Sequence, residues 1–112
     1  MEEFDCYGKN RLRNLTMKFE EFKESVQNDA QPSADLSPCL RALWHDAKGD
    51  WEAAHRIAQD VENANGAWVH AYLHRKERDL SNARYWYHRS GRPEFRGTTD
   101  KEWEQIVRAL LA

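Results

Sequence analysis

Residues 40–54, LRALWHDAKGDWEAA, align with residues 69–83, VHAYLHRKERDLSNA, when the chain is shifted by 29 positions. Four of the fifteen aligned pairs are identical: Ala42/Ala71, His45/His74, Asp50/Asp79 and Ala54/Ala83. Each aspartate stands where a helix N-cap is expected, and each second alanine stands where two helices would cross closely. The repeat therefore predicts two consecutive helical hairpins.

Helical periodicity continues on both sides of the repeat. Apolar residues recur at intervals of three and four over 11–28, which predicts an amphipathic helix there. A linker follows, and Ser37 with Pro38 reads as the N-cap and first residue of the next helix. Thr99 or Asp100 is expected to cap the last helix. The sequence thus predicts an all-α fold of about six helices.

The predicted organisation is one helical domain over residues 1–112. Residues 1–36 hold the N-terminal helix and a linker, residues 37–93 the hairpin pair, and residues 94–112 a C-terminal capping helix. Because isolated repeats cannot bury their own faces, the first and last helices are expected to cap the pair.

Composition limits the class of protein. Charged residues make up 32% of the 112 residues and the net charge is −2, which argues against a wholly basic nucleic-acid binder. Cys6 and Cys39 are far apart without a CxxC spacing, which favours reduced thiols in a cytosolic protein. The N-terminus has no apolar run of a secretory signal, and no segment approaches the ~20 apolar residues of a membrane span. We expect a cytoplasmic protein.

Two segments of the repeat resemble a known family. The stretches AKGDWEAAHRIA (47–58) and ERDLSNARYWYHRSGRP (77–93) are similar to the turn and second helix of tetratricopeptide (TPR) and Sel1-like repeats. The shared features are an aspartate, then an aromatic residue or leucine, then an alanine three positions later. The resemblance covers about residues 38–93, and it departs from the family in its 29-residue spacing, against about 34, and in Arg78, where glycine is common.

The resemblance implies a peptide-binding surface on the first helix of each hairpin. A polar stripe lies there, formed by Arg41, His45 and Lys48 on the second helix and by His70, His74 and Glu77 on the fourth. Such a stripe suits a protein partner or an acidic peptide through charge-assisted hydrogen bonds. The solvated face of two amphipathic helices has the same appearance. The resulting prediction is a non-enzymatic interaction module, and a homodimer stays open.

The same helices carry an alternative, a metal or small-ligand site. His70 and His74 are four residues apart and share one helical face, and His45 and Asp46 lie in the matching helix of the first hairpin. His45 and His74 are equivalent in the repeat, on helices roughly 8–10 Å apart, so their side chains would have to converge. Histidines that only pack are the competing interpretation. No cofactor is required, and a divalent metal stays open.

Other chemistry has little support. There is no Gly-rich phosphate loop, no GxSxG motif and no clear nucleophile–base pair. Residues 70–96 are basic and aromatic, but the helical spacing assigns Tyr72 and Tyr87 to packing faces, which disfavours base stacking on nucleic acid. Cys39 has apolar neighbours and is expected to be a buried structural cysteine.

Overall fold

The computed structural model of the chain describes residues 17–112. Within this range there are six α-helices and no strand, which confirms the predicted all-α class. The helices are α1 (Phe19–Asn28), α2 (Pro38–Ala47), α3 (Trp51–Gln59), α4 (Ala64–Lys76), α5 (Leu80–Ser90) and α6 (Thr99–Leu111). None of these six is long and apolar enough to cross a lipid bilayer.

Side-chain caps fix where several helices begin. Ser37 caps α2 immediately ahead of Pro38, as the sequence predicts. α6 is capped by Thr98, one residue before the predicted Thr99 or Asp100, because the Thr98 hydroxyl accepts a backbone N–H of the first turn. The helix predicted over 11–28 does not run unbroken, because Lys18 is extended (φ −93°, ψ 159°) and stands at the N-cap of α1, which begins at Phe19. Residues 11–16 of the predicted helix lie outside the described residues.

The two hairpin turns have the same backbone hydrogen-bond pattern, 29 residues apart. In the first turn the N–H groups of residues 48, 49 and 50 bond to the carbonyls of residues 44, 46 and 45; in the second, those of 77, 78 and 79 bond to 73, 75 and 74. Asp50 and Asp79 then cap α3 and α5. The equivalent residues Gly49 and Arg78 both have positive φ, 93° and 69°. The internal repeat therefore extends to backbone geometry.

The first turn of α4 contains an Asn-Gly pair, Asn65-Gly66, which ordinarily marks a turn. The helix nevertheless begins at Ala64, and the side chain of Asn63 caps it by accepting the Gly66 N–H at 2.9 Å. A Cβ on Gly66 would lie 2.0 Å from the carbonyl oxygen of Val61. This glycine therefore permits a close backbone approach inside the first turn.

α4 is the central helix of the fold. It packs against α2, α3, α5 and α6, and its nine consecutive residues Gly66–His74 are all buried. A helix buried on every side has no solvated face for its polar residues. Its polar side chains must therefore find partners on the neighbouring helices.

α6 turns back across the first helices of both hairpins. It contacts α2 and α4 as well as α1. The indole N–H of Trp103 donates to the carbonyl of Leu43 in α2 at 3.0 Å, and its ring packs on Phe19 and Phe22 of α1 with centroids 5.8 Å apart. Burial of these aromatic rings fixes α1 and α6 on the hairpin pair.

Cys39 is a buried free thiol, as expected, and burial raises its pKa. Cys6 lies outside the described residues. The assignment of Tyr72 and Tyr87 to packing faces is confirmed, since both side chains are buried.

The turn geometry predicts opposite effects of substitution at its two equivalent positions. A Cβ at Gly49 would meet no atom within 4 Å, so Gly49→Ala adds only the cost of a left-handed conformation and should destabilise the fold by about 1 kcal/mol. Arg78→Gly removes that cost and should stabilise by up to about 1 kcal/mol, less the entropy gained by the unfolded chain. Urea unfolding measures both; a loss of stability in Arg78→Gly would contradict the assignment of strain to Arg78.

Candidate metal centre

Two histidines of α4 lie side by side in the core. His70 and His74 are buried, and their rings stack with centroids 4.7 Å apart and an interplanar angle of 24°. The i, i+4 spacing of the sequence accounts for this arrangement. The His70 ring contacts His55 of α3 and Trp86 of α5, and the His74 ring contacts Trp51 and His55 of α3.

His55 on α3 completes a cluster of three imidazoles. Its Nε2 lies 2.9 Å from the Nε2 of His70, and its ring stands edge-on to His74 at a centroid distance of 5.1 Å. One ligand nitrogen from each of the three rings lies within 4.8 Å of the other two. The short nitrogen–nitrogen contact requires one shared proton, so one ring donates and the other accepts.

Two tryptophans enclose the imidazole cluster. The Trp51 ring stacks on His55 at 4.9 Å and 12°, and the Trp86 ring stacks on His70 at 4.0 Å and 14°. Trp51 is itself held in place, because its indole N–H donates to the carbonyl of Leu73 at 2.9 Å. The tryptophans therefore orient the imidazole planes and limit access of water.

His74 carries an unsatisfied nitrogen. In the described part of the chain only two buried side-chain polar atoms lack a hydrogen-bond partner, His74 Nδ1 and Glu102 Oε1. The nearest carboxylate to His74 Nδ1 is Oε1 of Glu77, at 3.5 Å, which is too long for a good hydrogen bond. A buried nitrogen left without a partner costs about 1–3 kcal/mol.

The surroundings of the cluster favour the neutral imidazole at His55 and His70. Burial lowers the pKa of His70 to about 4, and the charges of His55 and His74 act in the same direction. Burial also lowers the pKa of His55, followed by the charge of His74, whereas Glu77 and Glu52 oppose the change. The neutral form is the one that binds a metal ion.

Asp46 lies in a different part of the core from the imidazole cluster. Its carboxylate accepts a hydrogen bond from the Tyr72 hydroxyl at 2.6 Å and pairs with the Lys76 ammonium at 3.0 Å. Burial, then the charge of Asp46, raises the pKa of Tyr72. Both carboxylate oxygens are thus occupied by α4, and Asp46 does not join His70 and His74.

The α2 residues of the predicted polar stripe, Arg41, His45 and Lys48, are also separate from the imidazole cluster. The His45 ring stands edge-on to Trp44 at 5.4 Å, and the Lys48 ammonium lies over the same Trp44 ring at 5.3 Å. The Arg41 guanidinium donates to the Leu36 carbonyl at 3.5 Å. The structure therefore separates Arg41, His45 and Lys48 from His70 and His74, and Glu77 remains beside His74.

His55 is not among the site residues predicted from the sequence. It lies next to Ala54, which the repeat places at a helix crossing, and one turn after Trp51 on α3. This position on the helix was a signal that His55 faces the core. Comparison of the two repeats does not reveal it, because the residue equivalent to His55 in the second hairpin is Arg84 and not a histidine.

A second buried polar group lies where α4, α5 and α6 meet. Tyr87 donates a hydrogen bond to Oε2 of Glu102, and the Arg75 Nε lies 3.5 Å from Oε1 of the same carboxylate. Burial raises the pKa of Glu102, against the opposing effects of Tyr87 and Arg75. This group is an ion pair within the core with one loosely satisfied oxygen.

No protein-family model matches the chain, and no match is found among curated proteins or among solved structures. The resemblance to TPR and Sel1-like repeats stays a prediction.

The lowered pKa of His70 predicts an acid-sensitive fold. An unfolded histidine titrates near 6.5 and folded His70 near 4, so the stability from neutral His70 is complete above pH 6.5 and is lost as the pH falls towards 4. The full loss is on the order of 3 kcal/mol, of which about 2 kcal/mol falls between pH 6.5 and 5. Urea unfolding of the metal-free protein across this interval measures it.

The matched variant is His70→Gln, which removes the titrating group. Its unfolding free energy should change less with pH between 6.5 and 5 than that of the parent, whatever its absolute stability. Equal slopes for the two proteins would show that folded His70 is not held neutral.

Proposed function

We propose that this protein binds a divalent transition-metal ion, with Zn²⁺ as the best fit, through His55, His70 and His74. The observation that supports this proposal is the convergence of three imidazole nitrogens from two helices within 4.8 Å. The alternative metal site predicted from the sequence consists of His45, Asp46, His70 and His74. The proposed site retains His70 and His74 and has His55 in place of His45 and Asp46.

The donor set favours a particular class of metal. Imidazole nitrogen suits Zn²⁺, Cu²⁺ and Ni²⁺, whereas Mg²⁺ and Ca²⁺ prefer oxygen ligands. Three histidines leave one position of a tetrahedral Zn²⁺ for water or another ligand. Within residues 17–112 no thiolate joins the three imidazoles, because Cys39 is buried elsewhere in the core with a raised pKa. Zn²⁺ is therefore the ion to test first.

The distances require only small movements. Nitrogens bound to Zn²⁺ at about 2.0–2.1 Å with tetrahedral angles are about 3.3 Å apart. The Nε2 atoms of His55 and His70 are 2.9 Å apart, so they would separate slightly, and His74 would approach them. If the metal binds both Nε2 atoms, the ring that carries the shared proton must move it to Nδ1.

Glu77 supports the assignment of ligands. A histidine that binds a metal usually donates its other N–H to a carboxylate, which fixes the tautomer. Glu77 Oε1 lies 3.5 Å from Nδ1 of His74, and a movement of roughly 0.5 Å would form that hydrogen bond. The same movement would satisfy the buried nitrogen and leave Nε2 of His74 for the metal.

A metal at this point would connect the two hairpins. His55 belongs to α3 of the first hairpin, and His70 and His74 belong to α4 of the second. An ion held by both helices stabilises the folded state by mass action, because the unfolded chain does not preorganise the three ligands. Binding should therefore be visible as a gain in stability.

The test is thermal unfolding with and without Zn²⁺. At a metal concentration about 100 times Kd, binding adds about 2.7 kcal/mol, which corresponds to a rise of roughly 10 °C in Tm for a chain of this size. His55→Ala, His70→Ala and His74→Ala should each abolish most of that rise. Isothermal titration calorimetry should give one bound ion per chain for the parent.

The chain supplies its own controls. Of its five histidines, His45 and His88 lie outside the cluster, so His45→Ala and His88→Ala should keep the full Zn²⁺ response. A response that persists in the three cluster variants, or that is lost equally in the controls, would contradict the proposed ligands. A parent that binds no Zn²⁺, Co²⁺, Ni²⁺ or Cu²⁺ would end the proposal.

A further inference from the structure

The outer edge of α5 is exposed, although the equivalent surface of α3 in the first hairpin is covered by α4. In the first hairpin α4 lies over α3: Trp51 donates to the Leu73 carbonyl, and His55 contacts His70 and His74. The equivalent residues on α5 are Leu80 and Arg84, 29 positions later. No helix takes the place of α4 over them in the described part of the chain, where α5 packs mainly against α4.

Exposure marks this edge as an unusual surface. Leu80 is 54% exposed, and the side chain of Arg84 is 58% exposed. Among the described residues the exposed large hydrophobic side chains are Leu80 and Tyr85, and both belong to α5. Trp51, which is equivalent to Leu80, is instead partly buried and hydrogen-bonded to the following helix.

A cavity of about 380 Å³ lies at this edge. Leu80, Ala83, Tyr87 and Phe95 form its apolar lining, and Arg75 and Arg84 are its basic residues. Its volume suits one or two large apolar side chains of a partner. A helix is the element that covers the equivalent surface in the first hairpin, so a helix is the expected occupant here.

The charge of residues 80–97 favours an acidic helix as the partner. Residues 80–97 contain four arginines and one glutamate, with no aspartate or lysine. The glutamate, Glu94, pairs with Arg84 at 3.6 Å, but both side chains are more than half exposed, so this pair is weak and open to exchange. A partner carboxylate at this position would be favoured.

We propose that the edge formed by Leu80, Ala83, Arg84, Tyr87 and Phe95 binds an acidic amphipathic helix of another protein. The helix places apolar side chains in the cavity and a carboxylate on Arg84. By analogy with α4, where His70 and His74 contact His55, the equivalent of Arg84, the partner carries acidic residues four apart. This interaction does not depend on the proposed metal, because Leu80 and Arg84 are not in the imidazole cluster.

The probe is a labelled peptide based on residues 64–76, in which His70→Glu and His74→Glu supply the acidic pair and Arg75→Gln and Lys76→Gln remove the basic residues. Fluorescence anisotropy with the full-length, metal-free protein should show saturable binding. Arg84→Glu should weaken it by at least about ten-fold, because the substitution places like charges together. Arg56→Glu, which reverses an exposed arginine on α3, should bind the peptide as the parent does.

A charge-swapped pair gives the sharpest readout. A second peptide with His70→Lys and His74→Lys should bind the Arg84→Glu protein better than the parent. Leu80→Ser should weaken both peptides, and circular dichroism should be unchanged because Leu80 and Arg84 are both exposed. Absence of saturable binding, or equal binding of the acidic peptide by parent and Arg84→Glu, overturns the proposal. Sedimentation that reveals a dimer broken by Leu80→Ser also overturns it, by assigning the edge to a second copy of the chain.

Discussion

The complete burial of α4 is the constraint on which the rest of the structure depends. Nine consecutive residues of this helix are out of solvent, although several of its side chains are polar. Each neighbouring helix contacts a polar residue of α4: Asp46 of α2 accepts from Tyr72, His55 of α3 contacts His70, Trp86 of α5 stacks on His70, and Glu102 of α6 pairs with Arg75. The polar groups of one helix thus decide which residues its neighbours must present.

The two sides of α4 satisfy this constraint with different chemistry. Towards α2 and α6, buried carboxylates meet a hydroxyl and a cation, as in the group of Asp46, Tyr72 and Lys76, although Oε1 of Glu102 has no hydrogen bond. Towards α3 and α5, the imidazoles have mainly one another and aromatic rings, and the Nδ1 of His74 has no hydrogen bond. The nitrogens converge beside two tryptophan rings, and the neutral imidazole is favoured at His55 and His70, which makes them good ligands for a borderline metal ion. The difference between the two sides explains why the candidate site lies where it does.

The internal repeat is conserved in geometry but not in chemistry. Both turns use the same hydrogen bonds and aspartate caps, even though Arg78 must adopt the backbone conformation that Gly49 adopts freely. On the second helices, Trp51 is exchanged for Leu80, and His55 for Arg84. The first pair is covered by α4 and belongs to the imidazole cluster, whereas the second is exposed to solvent. The functional proposals both come from positions where two equivalent hairpins differ.

The amino-acid sequence is sufficient to predict most of the local structure. Capping at Ser37, Asp50 and Asp79 and apolar periodicity predict the six helices, because both depend on interactions within a few residues. It also paired His70 with His74, which share one turn of a helix. The packing of the helices brings His55 to His70 and His74 and keeps Asp46 apart from them. Apolar periodicity could not predict this, since the periodicity of one helix does not state how a neighbouring helix is rotated against it. That rotation is set by the packing of whole side chains around α4, a long-range balance that no local pattern records.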